Sequence, residues 1–309
     1  MKIKMPLTGI VPPLVTPLRG RDELDVAGLE KLLEHVLAGG VAGLFVLGTT
    51  GEGPSLSYRL RAEMIERVCK QVNGRVPVLV GITDTAFAES VNVARVAEKF
   101  DAAAVVAAPP YYMPEGQPEL QEWLDHLAPE LPLPLFLYNM PPLTKVPYEI
   151  EIVRHALGNG RIIGFKDSSG DLNYFRSVAA LLPARPDWSL LIGPEEKLFD
   201  ALQMGGHGGV SGGANLFPKI YAKLCEAHRA GDLGRAQELQ KQIQRISSSL
   251  YRVGKHPSTI IKGIKCTLAC LGICSDFMAE PFHRFRDPER SLIQTRLKEV
   301  QADLSKLNL

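Results

Sequence analysis

The sequence predicts a closed (β/α)8 barrel of the TIM type, an α/β fold, with a C-terminal helical extension. Three observations lead there. Eight short apolar, β-branched runs fill the first two-thirds of the 309-residue chain. Segments of helical period separate them. The runs are continuously apolar rather than alternating, as in a parallel sheet covered on both faces. A doubly wound open sheet is the competing arrangement. Its dinucleotide-binding form needs a Gly-x-Gly-x-x-Gly turn after the first strand, and here that turn reads Thr16-Pro17-Leu18-Arg19-Gly20.

The strands are expected at 10–16, 43–48, 76–82, 103–107, 133–138, 161–166, 189–192 and 208–211. The first helix is marked by Leu29, Leu32, Leu33, Val36 and Leu37 at i, i+3, i+4, i+7 and i+8, with Asp25 as its N-cap. In the second, Ser57 precedes Leu60, Met64, Ile65, Val68 and Val72. From Phe217 onward the strand signals stop, and helical patterns run near 219–230, 233–253, 257–274 and 288–307. Residues 1–216 thus form the catalytic barrel. Residues 217–309 supply its last helix and the extension, within the same structural unit.

Charge and composition exclude several classes. Lys+Arg 35 against Asp+Glu 34 gives a net charge of +1, unlike a strongly basic nucleic-acid binder. The longest apolar runs, 41–48 and 102–110, fall far short of the about 20 residues that span a bilayer. No signal-peptide core is visible, so a soluble, cytoplasmic protein is expected, with neither nucleic acid nor membrane as partner. Five cysteines suit a reducing compartment. Cys266, Cys270 and Cys274, spaced i, i+4, i+8 among Leu268, Ala269 and Leu271, read as a buried helix stripe rather than metal ligands. Zinc-ligand spacings, a Walker loop and a Gly-x-Ser-x-Gly elbow are all absent, and nothing demands a cofactor or metal.

In such a barrel, reactive groups gather at the C-terminal ends of the strands. Strand six ends in Ile162-Ile163-Gly164-Phe165-Lys166. Burial disfavours an ammonium, and a lysine tuned toward neutrality is a nucleophile for carbonyl substrates. The structural alternative is a lysine reaching solvent or paired with Asp167. Strand five ends at Tyr138, whose phenol can shuttle protons beside Lys166. After strand two, Thr49 and Thr50 lie between Gly48 and Gly51, a loop that offers amides and hydroxyls to a carboxylate or phosphate. An ordinary turn is the plainer reading of that stretch. The run 205–209, rich in glycine, precedes strand eight and reads as a turn on the stability face.

Together these residues resemble the dihydrodipicolinate synthase/N-acetylneuraminate lyase family of Schiff-base aldolases. The likeness runs from Gly9 to Phe285. It is carried by Gly48-Thr49-Thr50-Gly51-Glu52, Tyr138-Asn139-x-Pro141 and Gly164-x-Lys166-Asp167. The resemblance implies that pyruvate, or the pyruvyl half of a longer 2-oxo acid, forms an imine with Lys166. It implies that Tyr138 relays protons and that Thr49 and Thr50 bind the carboxylate. Tyr112, with Tyr111 adjacent, matches a tyrosine that reaches into the partner subunit of a homotetramer built from dimers. Gly193 and Ser211 would contact substrate, and Val210 would line the pocket floor.

One departure matters. Leu143 stands where synthase members carry an arginine for the carboxylate of aspartate semialdehyde, and leucine cannot form that bidentate pair. Lys145 is two residues on. Small residues at Ser211-Gly212-Gly213 suit a longer, hydroxylated substrate. The expected function is therefore a lyase that reversibly cleaves a 2-oxo sugar acid to pyruvate and an aldehyde. The alternatives are 4-hydroxy-tetrahydrodipicolinate synthase, a sugar-acid dehydratase using the same imine, a non-catalytic oxo-acid sensor, and a pyridoxal-phosphate enzyme on Lys166.

Overall fold

The computed structural model describes residues 3–307. Eight strands form the central sheet: β1 (Gly9–Ile10), β2 (Leu44–Val46), β3 (Val78–Gly81), β4 (Ala104–Ala107), β5 (Leu135–Asn139), β6 (Ile162–Asp167), β7 (Ser189–Ile192) and β8 (Gly208–Gly209). Their order is β1-β8-β7-β6-β5-β4-β3-β2, every neighbour parallel. The ring closes between β1 and β2. There the Ile10 carbonyl accepts from the Ala42 amide at 2.7 Å, and the Leu14 amide donates to the Phe45 carbonyl at 2.8 Å.

Buried side chains along the strands alternate, with period two, between two cores. Leu44 and Val46, Val105 and Ala107, Leu135 and Leu137, and Phe165 join the core between sheet and helices. Phe45, Leu79, Val106, Phe136, Tyr138, Leu191 and Val210 form a second, smaller cluster. That cluster fills the barrel interior, so the sheet is apolar on both faces and its strands read as unbroken apolar runs.

The helices are α1 (Val26–Leu37), α2 (Tyr58–Val72), α3 (Phe87–Lys99), α4 (Gln117–Glu130), α5 (Pro141–Thr144), α6 (Ile150–Leu157), α7 (Leu172–Ala179), α8 (Leu198–Gln203), α9 (Pro218–Arg229), α10 (Leu233–Leu250), α11 (Thr259–Cys270) and α12 (Asp287–Leu304). Asp25 caps α1 by accepting from the Gly28 amide, and Ser57 caps α2 by accepting from the Leu60 amide. In the extension, α10 packs along α9 and α12, and α11 lies against α12 and the short turn after β8. None of the described helices is long and apolar enough to cross a membrane.

Three expectations need correction. The first strand is only two residues long, followed by a single bridge from Pro13 to Phe45, because Pro12 and Pro13 have no N–H for a ladder. A small antiparallel hairpin, Leu18–Gly20 with Glu23–Leu24, follows it and was not foreseen. The cysteine stripe is broken. Gly272, at φ 71, ends α11 in a Schellman turn, with the Ile273 amide bonded to the Leu268 carbonyl, so Cys274 lies buried beyond the helix.

Gly208 marks the tightest approach in the ring. A Cβ there would collide with the backbone of Gly9 across the β1–β8 seam. Gly208→Ala is expected to cost about 3 kcal/mol. Urea unfolding followed by circular dichroism checks this through a lowered midpoint.

Candidate active site

The register between β5 and β6 places Tyr138 directly opposite Lys166, and Asn139 opposite Asp167. Side chains alternate, so the first pair faces the barrel interior and the second faces away. Asp167 is fully buried and accepts from Asn139 Nδ2 at 2.9 Å, the Ser169 amide at 3.0 Å and Ser169 Oγ at 3.0 Å. Asn139 Oδ1 in turn accepts from the Tyr148 amide. The neighbouring carboxylate is therefore engaged elsewhere, which removes the reading of Lys166 as one half of a salt bridge with Asp167.

Lys166 is 6% exposed, and among the described residues no carboxylate lies within ion-pair distance of it. Its Nζ sits 3.7 Å from the ring centroid of Tyr138 and 4.9 Å from that of Phe45. The two rings meet edge to face at 6.3 Å. Burial pushes the Lys166 ammonium below its ordinary range, and Tyr138 offsets part of that fall. On Tyr138, burial acts to raise the phenol. The adjacent Lys166 charge and the hydrogen bonds outweigh it, so the phenol is held below its ordinary range. Tyr138 Oη and Thr49 Oγ1 share a hydrogen bond of 3.3 Å.

The Thr49–Thr50 turn follows β2. It does not open directly onto a helix N-terminus: a short 3-10 turn, Gly53–Ser55, intervenes before α2. Thr16 Oγ1 donates to the Gly51 carbonyl at 2.7 Å, which fixes the back of the turn. The amides of Thr49 and Thr50 donate to none of the described residues, so both remain available to an anion.

Beside this turn lies a cavity of about 140 Å³, lined in part by Phe45, Thr49, Pro54, Tyr111, Tyr138 and Leu143. The rings that flank Lys166 are thus walls of the cavity. Of the other residues singled out from sequence, Thr50 sits on the same turn, and Val210 packs with Phe45 and Tyr138 beneath them. Lys166, Thr50, Val210, Gly193, Ser211 and Tyr112 are not themselves among the residues of the cavity wall. Gly193 lies so close to Ser168 that a Cβ would strike its hydroxyl. Ser211 is fully buried, its Oγ without a partner, and the Gly213 amide is taken by Glu195 at 2.8 Å. Of these two groups after strand eight, the Ser211 hydroxyl is thus unengaged and the Gly213 amide is not. Tyr112 is 82% exposed on this chain, and Tyr111 takes the inner position.

Sequence reasoning missed several supports. Arg61 is buried in α2 and ties Asp84 at 2.9 Å and the Leu56 carbonyl at 3.1 Å, bracing the loop beyond the turn. Its signal was legible, since it falls within the apolar stripe of that helix. Glu195 accepts from Tyr221 at 2.7 Å and Tyr251 at 3.1 Å, and burial pushes its carboxyl up to about 7.

Residues 6–300 match the model of the dihydrodipicolinate synthetase family. This chain belongs to that family. It is accordingly an enzyme of the carbon–carbon lyase class. A probable 2-dehydro-3-deoxy-D-pentonate aldolase of Escherichia coli, YjhH, is 30% identical over 86% of this chain and 88% of its own. A dihydrodipicolinate synthase structure from Bacteroides thetaiotaomicron superposes with a TM-score of 0.93 at 52% identity, covering 96% of this chain and 99% of that one. The structure of Escherichia coli YagE in complex with pyruvate gives 0.90 at 28% identity, covering 96% and 99%. The family thus includes both synthases and sugar-acid aldolases among the relatives of this chain.

The two opposed effects on Lys166 give a signed expectation. Acylation of Lys166 by acetic anhydride, followed by peptide mass mapping against pH, should titrate with a midpoint below 10.5. In Tyr138→Phe only burial remains at full strength, so the midpoint should fall further. A midpoint that rises in this variant contradicts the assignment.

Proposed function

We propose that the enzyme is a Schiff-base aldolase that reversibly cleaves a 4-hydroxy-2-oxo acid, of the sugar-acid type, to pyruvate and an aldehyde. The observation that carries this reading is the buried, carboxylate-free Lys166 held against Tyr138 beside the unoccupied amides of Thr49 and Thr50. That the related YagE was solved in complex with pyruvate supports pyruvate as a ligand of this chain.

The chemistry follows from the parts. Thr49 and Thr50 hold the substrate carboxylate, which fixes the 2-oxo carbon relative to Lys166, an entropic gain. The neutral amine adds to that carbon, and water leaves to give the imine. Tyr138, whose phenolate form the adjacent positive charge favours, accepts the proton of the 4-hydroxyl and later returns it to C3. The C3–C4 bond then breaks, the aldehyde departs, and the electron pair is stored as an enamine. Protonation at C3 and hydrolysis of the imine release pyruvate and restore Lys166. Thr50 shares the turn with Thr49, and Val210 packs beneath Phe45 and Tyr138; Gly193 and Ser211 lie outside the cavity wall. The exposed Tyr112 contacts a second copy of the chain in a homotetramer built from dimers.

Leu143 separates the aldolase from the synthase. It lines the cavity and is 49% exposed, so it meets the second substrate with an apolar surface. Lys145 does not replace the missing charge: it is exposed, and its Nζ lies 3.4 Å from the Pro142 carbonyl. The synthase reading is favoured by one observation, the 52% identity to the Bacteroides protein.

Two assays decide between them. Pyruvate release from 2-dehydro-3-deoxy sugar acids, coupled to lactate dehydrogenase, should be detected in the wild type and lost in Lys166→Ala. Faster condensation of pyruvate with aspartate semialdehyde would contradict the aldolase reading. Leu143→Arg should speed that condensation at least about tenfold, since a charged hydrogen bond contributes ~1.5–3 kcal/mol.

A further inference from the structure

The turn that carries Thr49 and Thr50 contains two non-glycine residues in the left-handed region, Leu47 at φ 59 and Glu52 at φ 55. Such conformations persist only where surrounding contacts enforce them. For Glu52 the contact is plain. Its carboxylate is 0% exposed and forms an ion pair with Lys265, whose side chain is also 0% exposed. Glu52 Oε2 accepts from the Ala279 amide at 2.7 Å. Lys265 Nζ donates in addition to the Phe277 carbonyl at 2.7 Å. The two side chains are 213 positions apart in sequence, and both backbone partners lie in the segment between α11 and α12. Glu52 in turn is bonded back to the turn, its amide donating to the Thr49 carbonyl at 3.0 Å.

We propose that Lys265 is a positioning residue for substrate-carboxylate binding: through the buried ion pair with Glu52, the C-terminal extension sets the geometry of the Thr49–Thr50 turn. Lys265 touches neither substrate nor Lys166. Among the described residues, it completes the network that joins the extension to the turn through a charge. An unpaired carboxylate in that position is disfavoured, so the turn relaxes when the lysine is removed, and the Thr49–Thr50 segment no longer holds its geometry. Burial lowers the Lys265 ammonium, and Glu52 counters that fall, as a pair serving as structure requires. This inference rests on the proposed imine chemistry at Lys166.

The test is a split between affinity and rate. Borohydride trapping with pyruvate gives a half-saturating concentration and a maximal rate. Lys265→Met should raise the half-saturating pyruvate concentration by about tenfold or more. The maximal trapping rate should stay within about threefold of wild type, since Lys166 and Tyr138 are untouched. A role confined to stability would lower the trapped fraction and leave the half-saturating concentration unchanged, which overturns the proposal. Glu52→Gln keeps an acceptor for the Ala279 amide and provides the milder variant should the first not fold. It must shift half-saturation in the same direction, and an unshifted value overturns the proposal equally. The double variant should be no weaker in pyruvate binding than Lys265→Met alone, because the two residues act as one unit; additive losses contradict the coupling. Wild type that traps no pyruvate overturns the imine reading, and this one with it. Wild type that traps, with variants of unchanged half-saturation, overturns this one alone.

Discussion

The site depends on taking one ammonium out of water without giving it a carboxylate. Lys166 lies near the end of an apolar strand, and the closed ring of strands leaves it only 6% exposed. An ion pair would have offset the desolvation and kept the lysine charged and inert toward carbonyls. Instead the neighbouring Asp167 points to the opposite face of β6, where Asn139 and Ser169 satisfy it. Two aromatic rings supply a weaker attraction through their π faces. The balance favours the neutral amine more than water does, while the lysine still folds into place.

A second buried lysine shows the opposite solution. Lys265, at 0% exposure, is sealed more tightly than Lys166 and is paired with Glu52, and each member of the pair also bonds a backbone group. Breaking such a pair on one side typically costs 3–5 kcal/mol, roughly, because the other charge is left unpaired. That cost makes it a rigid tie rather than a reactive group. One lysine is thus available for chemistry, and the other fixes the loop that presents substrate to it. The difference lies chiefly in partners, since both lysines are buried.

Much of this was legible in the sequence. Continuous apolar runs at regular intervals are what a barrel with cores on both sheet faces requires. Lys166 stood out as the charge that ends such a run, and Tyr138 as the polar end of the preceding strand. Consecutive strands pair in this topology, so adjacency in the sequence became adjacency in space. The N-caps Asp25 and Ser57 were readable for a similar reason: they act within one turn of chain.

What was hidden depends on long-range contact or on backbone conformation. The Lys265–Glu52 pair joins residues that no local pattern connects, although a lysine between Ile264 and Cys266 on a buried helix face signals that a partner exists. The left-handed conformations of Leu47 and Glu52 carry no residue signature, because glycine was absent where it is usual. Tyr111 and Tyr112 are adjacent and chemically alike, so only the path of the loop decides which turns inward. The most direct measurement is to treat the wild-type protein with pyruvate and borohydride and map the adduct by peptide mass spectrometry. The account predicts a single pyruvyl-derived mass increase on the peptide containing Lys166. No adduct in folded protein, or one on another lysine, would contradict it.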